Sequence, residues 1–559
     1  MRKPASVTRR TTLAAISATA AVAALPTLAR AATGGAEVFR HGVASGDPDA
    51  TSVVLWTRVT VSAPLEVEWE VASDPRFARI VRQGRASAGP ERDFTVKVLA
   101  EGLEPGGRYF YRFRAAGVTS RVGQTRTLPV GRVEQLGIAL ASCSNFAFGY
   151  FNAYDAIARD GAVDFVLHTG DYIYEYGADG WGGDIARQIG RVHEPANEIV
   201  SLFDYRTRHA QYKTDAGSQA MLAAKPLLAC WDDHESANNP WTGGAQNHQP
   251  DKEGDWVDRR AASIQAYFEW MPVREPGPGR TRMQFWRTWV FGDLATLATL
   301  ETRHTARARQ IDYDPYRKTI TSYAAAREME RDTFGAVGRA MLARELEADL
   351  TAAWTQSKLG NLPWRLIGNP MPIARTRVPD VVGLGLIPDP ASQSKPLSAA
   401  VDMAWKGKWN LPFYPDTWDG YDWARERLYS QAREAGVDDL VFLTGDSHSF
   451  WANRLANAAG QPMGVELGTS GVTSPGDFIE SGFDPATAAR LDAAFAEHNP
   501  EVVWTDNLHQ GYVRVVLTRN EGRASFIAMS NIRSQRYTAR PVSEWRMVRG
   551  DAGLDLIRM

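Results

Sequence analysis

The chain has 559 residues, and its 63 basic and 65 acidic side chains nearly cancel, which removes any electrostatic case for nucleic acid or an anionic membrane as ligand. That length exceeds one ordinary hydrophobic core, so two or more domains are expected. Two cysteines are too few for the disulfide framework of a small secreted scaffold. The first segment reads as an address. Thr8-Arg9-Arg10-Thr11-Thr12-Leu13 precedes an alanine-rich stretch to Leu28, and Ala29-Arg30-Ala31 supplies a small-x-small cleavage site. Residues 1–31 therefore read as a twin-arginine signal peptide, removed on export by the Tat translocation machinery. No later stretch reaches the roughly 18 uninterrupted apolar residues of a spanning helix. The mature protein is expected to be exported to the cell envelope, the periplasm or the medium, with its cofactor acquired beforehand.

Residues 37–130 read as all β. Ser52–Val59 and Leu65–Val71 run or alternate at strand length, and Phe94–Val98 follows. Leu103-Glu104-Pro105-Gly106-Gly107-Arg108-Tyr109 and the residues to Phe113 resemble the turn and tyrosine-bearing strand of a fibronectin type III or immunoglobulin-like sandwich. No ligand cluster falls there, so the region is expected to be a structural or positioning module. From Arg132 to about residue 545 strands alternate with helical stretches, the texture of an α/β domain. Helices are expected over Tyr150–Ala158, Trp256–Trp270, Met341–Leu359 and Arg425–Ala435, with Leu342, Leu346 and Leu350 on one face of the third. Trp364–Asn369 reads as a further strand. Residues 375–420 are rich in Pro, Gly and Trp without periodicity and read as a lid or binding loop.

Three acidic-histidine clusters carry the chemistry, each after a short apolar run. They are Val166-Leu167-His168-Thr169-Gly170-Asp171-Tyr172-Ile173-Tyr174-Glu175, Ala229-Cys230-Trp231-Asp232-Asp233-His234-Glu235 and Leu443-Thr444-Gly445-Asp446-Ser447-His448. Such runs place carboxylates just past the carboxyl edge of a buried strand, where open α/β sheets bind their ligands. A fourth run, Leu136–Ala141, ends in Ser142-Cys143 instead. Three edges that converge suit a multi-metal site. Asp171 suits a bridge between ions because Gly170 allows a tight turn, and Tyr174, three residues on, can return to the same metal. Asp446 and His448 alternate on one extended segment. His234 is read either as a ligand or as an orienting partner of Asp233. Asp232, Glu175 and Glu235 are read as hydrogen-bonding groups. Cys143 and Cys230 could also pair as a disulfide, although nothing in their spacing supports it.

Together these motifs resemble the alkaline phosphatase D family, a branch of the calcineurin-like metallophosphoesterases that includes metal-dependent phospholipase D relatives. The resemblance starts at Gly42-Val43-Ala44-Ser45-Gly46-Asp47-Pro48 and runs through all four clusters. It implies an α/β metallophosphoesterase domain, in the α+β sandwich arrangement, with one Fe³⁺ and one or two Ca²⁺. Thiolate from Cys143 and phenolate from Tyr174 suit ferric iron, and carboxylates from Asp171, Asp233 and Asp446 suit calcium. The resemblance also implies His448 as a metal ligand and Asp506 as a late member of the calcium shell. Arg206, in Asp204-Tyr205-Arg206-Thr207-Arg208, is the candidate phosphate clamp, since a guanidinium binds phosphate oxygens bidentately. Two positions depart from the family pattern: Glu301 stands where Asp is usual in an Asp-x-Arg, and Asn369-Pro370-Met371 replaces Asn-Gln-x-Met.

The expected function is hydrolysis of phosphate esters by a metal-bound hydroxide, with Asp171, Arg206 and His234 as the catalytic group. The alternatives are a phospholipase D-type phosphodiesterase acting on phospholipids and an inactive secreted binding protein. A wide, tryptophan-lined cleft around residues 405–423 would favour diesters, including phospholipid head groups, and a narrow basic one would favour monoesters.

Overall fold

The computed structural model describes residues 37–550 and 553–559; the export signal expected at 1–31 lies outside them. The chain opens with β1 (Val43–Gly46), β2 (Ser52–Arg58), β3 (Leu65–Ala72), β4 (Ile80–Ala88), β5 (Thr95–Glu101), β6 (Arg108–Ala115), β7 (Val118–Thr119) and β8 (Gly123–Arg126). Strands β4-β3-β6-β7 form one sheet, with β8 on β6. Tyr109 folds back so that its hydroxyl accepts the Glu104 backbone N–H at 2.8 Å, which pins the turn into β6. Alternate residues Tyr109, Tyr111 and Phe113 are buried against Val53, Leu55 and Val96, as a half-buried strand requires.

The remaining strands are β9 (Leu136–Ala141), β10 (Phe165–His168), β11 (Leu227–Ala229), the short β12 (Pro240–Trp241) and β13 (Gly244–Ala245), β14 (Thr288–Phe291), β15 (Ala295–Thr299), β16 (Trp364–Asn369), β17 (Leu440–Thr444), β18 (Phe450–Ala456), β19 (Pro462–Gly468), β20 (Val502–Asp506), β21 (Gly511–Leu517), β22 (Gly522–Met529), β23 (Ala539–Gly550) and β24 (Gly553–Arg558). They build two large sheets, ordered β24-β23-β22-β21-β9-β10-β11-β1-β2-β5 and β14-β15-β16-β17-β19-β18-β20. The sheets pack face to face through Ile138, Leu140, Phe165 and Leu167 on one and Leu297, Leu366, Val441 and Leu443 on the other. Helices Asn152–Arg159, Leu202–Tyr212 and Trp256–Trp270 cover the outer face of the first sheet. Helices Arg344–Leu359 and Asp422–Glu434 cover the second. The result is a helix–sheet–sheet–helix sandwich whose central strands β9, β10, β11, β16 and β17 are buried on both faces, which explains their near-continuous apolar sequences.

Strands β1–β8 all precede residue 130, but three of them, β1, β2 and β5, extend the first large sheet, with β1 paired in parallel with β11 at Gly46 and Leu227. At the other end β23 and β24 carry that sheet past residue 545 to Arg558. Residues 375–420 are also not an open loop. They contain the helix Ser398–Lys408, and Val378, Val381, Ile387 and Met403 bury themselves against Phe478, Leu491 and Phe495. The apolar spacing there is too irregular to show a helix, because the segment packs as a small core of its own.

Strands β9, β10 and β11 are mutually parallel, and so are β15, β16, β17 and β19. Their carboxyl ends therefore lie at common edges, and a bridge between Ser142 and Gly471 ties the two edges together. That junction positions the site.

Candidate metal centre

All four clusters converge there. Cys143 follows β9, Asp171 follows β10, Asp232, Asp233 and His234 follow β11, and Asp446 and His448 follow β17. Cys143, Asp171, Asp446 and His448 each adopt a left-handed backbone, with φ of 59°, 56°, 65° and 53°. Non-glycine residues rarely tolerate this conformation, which costs about 1–3 kcal/mol each. Four such residues where the two sheet edges meet are held there by their surroundings. Gly170 has φ of 104°, and a Cβ on it would sit 2.3 Å from the Asp232 backbone nitrogen, so only glycine lets the Asp171 and Asp232 turns touch.

The donor atoms form three overlapping groups: Cys143, Asp171 and His448; Asp171, Asp233 and His234; and Asp232, Asp233 and Asp446. Cys143 Sγ lies 3.4 Å from Asp171 Oδ2, and the Tyr174 hydroxyl lies 3.1 Å from the same oxygen. His448 Nε2 is 3.4 Å from that hydroxyl. Burial, reinforced by neighbouring carboxylates, pushes Asp171, Asp446, Cys143 and Tyr174 well above their ordinary pKa values. Burial also lowers His448 to about 3, which leaves its imidazole neutral and able to coordinate. Several buried acidic groups that resist ionisation together fit a site completed by cations, since a bound ion reverses this preference.

A further set of buried glutamates holds the ligand turns by accepting backbone N–H groups. Glu235 accepts from Asp171, Tyr172 and Asp232 at 3.1, 2.7 and 2.8 Å, which clamps two ligand loops with one carboxylate. Glu175 accepts from His234 Nδ1 at 2.6 Å and from the Asn238 backbone at 2.8 Å. Glu301 accepts from the Arg303 and His304 backbones at 2.9 and 2.7 Å and from Trp231 Nε1 at 3.1 Å. Arg208, fully buried, donates to the Tyr174 carbonyl and braces that residue.

Arg206 and Asp506 do not join the donor groups. Arg206 is committed elsewhere: Nε and a terminal nitrogen each lie 2.7 Å from the Glu269 carboxylate, and the same terminal nitrogen donates to the Glu91 carbonyl. On the helix Leu202–Tyr212 the buried face is Tyr205, Arg208, His209 and Tyr212, and Arg206 points off it toward the N-terminal strands. Asp506, at the end of β20, caps its own turn by accepting from the Leu508 backbone at 2.8 Å and pairs with His509 Nδ1 at 2.8 Å. The guanidinium at the centre is that of Arg303. Its Nε lies 2.5 Å from Asp232 Oδ1, and a terminal nitrogen lies 3.5 Å from Asp446 and 3.9 Å from Asp233. Both terminal nitrogens are buried and without a hydrogen-bond partner among the described residues. Glu301-Thr302-Arg303, visible in the sequence as an acid-x-Arg triplet after a strand, was the available signal. Cys143 and Cys230 are both free and buried.

A cleft of about 760 Å³ has Asn239 in its wall, and the Asn239 backbone donates to Asp233 Oδ2 at 2.8 Å. Trp241, Trp256, Arg309 and Lys406 line it, and Arg309 stacks over Trp241 at 4.9 Å. Pro415 and Asp416 of the 405–423 region line it as well, whereas Trp418 of that region is fully buried and Trp405 packs on Tyr313.

Comparison with known proteins accords with this geometry. The profile of the PhoD-like phosphatase family matches residues 138–526, and that of the PhoD-like phosphatase N-terminal domain matches residues 23–129. Alkaline phosphatase D of Bacillus subtilis (strain 168) is 34% identical over 518 residues, covering 88% of this chain and 77% of the relative. A solved structure of PhoD superimposes with a TM-score of 0.74 at 30% identity, covering 93% of this chain and 92% of that one. The chain thus belongs to the PhoD-like phosphatase family and is a phosphoric ester hydrolase.

Proposed function

We propose that the chain is an exported, metal-dependent phosphoesterase with ferric iron held by Cys143, Asp171, Tyr174 and His448 and calcium held by Asp171, Asp233 and Asp446. The observation that carries this reading is the shared position of Asp171, which belongs to one donor group with Cys143 and His448 and to another with Asp233 and His234. Thiolate and phenolate favour a ferric ion, and an all-oxygen set favours calcium. Ions held by these residues would supply Lewis acidity, lowering the pKa of a water and offering positive charge to the phosphoryl oxygens.

The chain's own side chains supply the remaining chemistry. Arg303, whose two terminal nitrogens carry no hydrogen bond among the described residues, takes the charge-stabilising role first expected of Arg206. His234 has its Nδ1 held by Glu175, which leaves Nε2 to pass a proton to the departing alcohol oxygen. Burial works against the imidazolium, but Asp233, Glu175 and Asp171 raise it well above an ordinary histidine. The cleft beside Asn239 has room for the alcohol portion of a diester, so diesters fall within the substrate range. The N-terminal strands act as a fibronectin-like positioning module, and the turn pinned by Tyr109 supports that likeness.

The test is spectroscopic. A Tyr174 phenolate on iron gives the purified protein a visible charge-transfer band that is lost in Tyr174→Phe. A colourless, iron-free preparation with full activity refutes the metal assignment. Export is tested by the double change Arg9→Lys and Arg10→Lys, which should retain the protein inside the cell.

A further inference from the structure

The indole of Trp181 separates the metal centre from a second cleft. It lies nearly parallel to His448, at 5.5 Å and 18°, and to His234, at 6.5 Å and 21°. It also contacts Tyr174 at 5.6 Å, so its ring covers three side chains of the centre. Phe148 meets it edge-on at 4.8 Å. Trp181 is half-buried, and with Phe148, Pro475, Ile479 and Arg533 it lines a cleft of about 610 Å³.

The position of this ring is built by its neighbours. Gly182 has φ of 86°, and a Cβ on it would lie 2.8 Å from the Phe148 ring, while a Cβ on Gly183 would lie 2.5 Å from the Ala178 carbonyl oxygen. Side chains at either place would push the loop, and the indole with it, off the histidines. On the far side Glu480, at the end of the helix Asp477–Glu480, lines the same cleft as Trp181. An indole that is held by packing and presents apolar surface beside a cleft is a stacking platform.

We propose that Trp181 is a specificity-determining residue that stacks on the organic group of the substrate, so that esters of flat or apolar alcohols are favoured over short polar ones. This rests on the phosphoesterase reading above. Two phosphonates that are not hydrolysed, phenylphosphonate and methylphosphonate, separate the two claims, because their binding is read by calorimetry without turnover. Wild-type protein, Trp181→Phe and Trp181→Ala are compared, with metal content measured in each. Phenylphosphonate should bind about three- to tenfold tighter than methylphosphonate to the wild type, the range a single aromatic contact supplies. The preference should persist in Trp181→Phe and vanish in Trp181→Ala, with methylphosphonate affinity unchanged. An equal preference in wild type and Trp181→Ala overturns the proposal. So does a Trp181→Ala protein that loses its metal and binds neither phosphonate, which would make the ring a brace for His448. Absence of ester hydrolysis by the wild type with the preference intact strikes instead at the phosphoesterase reading.

Discussion

Arg303 Nε lies 2.5 Å from Asp232 Oδ1, and neither side chain reaches solvent. One oxygen of Asp232 thereby holds a guanidinium in the centre, while Asp233 lies with Asp171 and His234 in one donor group and with Asp232 and Asp446 in another. The adjacent acids take different roles because Arg303 and His234 hold Asp233 below an ordinary carboxylate despite its burial, whereas burial leaves Asp232 raised.

Arg303→Ala should lower kcat by about 10²–10³-fold, the loss typical of one preorganised charge-stabilising donor. Arg206→Ala should leave kcat/KM nearly unchanged and cost about 2 kcal/mol of stability, because Glu269 loses its buried partner. Steady-state rates on an aryl phosphate, paired with denaturant unfolding, separate the two arginines.

Glu235→Gln should weaken metal binding by about 10–100-fold, the usual cost of losing a group that orients ligands. The glutamine amide would present N–H to one of the three backbone N–H groups that Glu235 now accepts. Chelator titration of the two proteins, read by metal release, checks this.

Lys213 is fully buried, and its ammonium faces the Tyr172 hydroxyl at 2.9 Å with no carboxylate partner among the described residues. Burial lowers it from 10.5 to about 7. The unfolded chain then binds more protons than the folded one, so this lysine costs the most stability below pH 7, and the cost fades as pH rises toward 10.5. Lys213→Met should stabilise the protein by on the order of a few kcal/mol at pH 6 and by little at pH 10, as thermal unfolding at the two values would show.

Much of this was legible in the chain. The helix Trp256–Trp270 and the strand Trp364–Asn369 follow from apolar periodicity and turn residues, and the clusters mark strand ends because carboxylates follow apolar runs. What the sequence concealed depends on tertiary placement. Arg206 sits in a promising arginine-rich helix, but only the packing of Tyr205, Arg208 and His209 reveals that it faces Glu269. Arg303 lies more than 100 residues before Asp446 in the sequence and meets it only because β15 and β17 run parallel in one sheet. The left-handed backbones of Cys143, Asp171, Asp446 and His448 are equally invisible, since no residue type there announces them. Asp506 resembles a ligand locally, yet its side chain is consumed by its own turn.

The most direct test of the central claim is iron and calcium content measured together with aryl phosphate hydrolysis in wild type and Asp171→Ala. Asp171 is shared by two donor groups, so the account predicts that the variant loses metal from both positions and hydrolysis with it. An Asp171→Ala protein that keeps wild-type activity would contradict it.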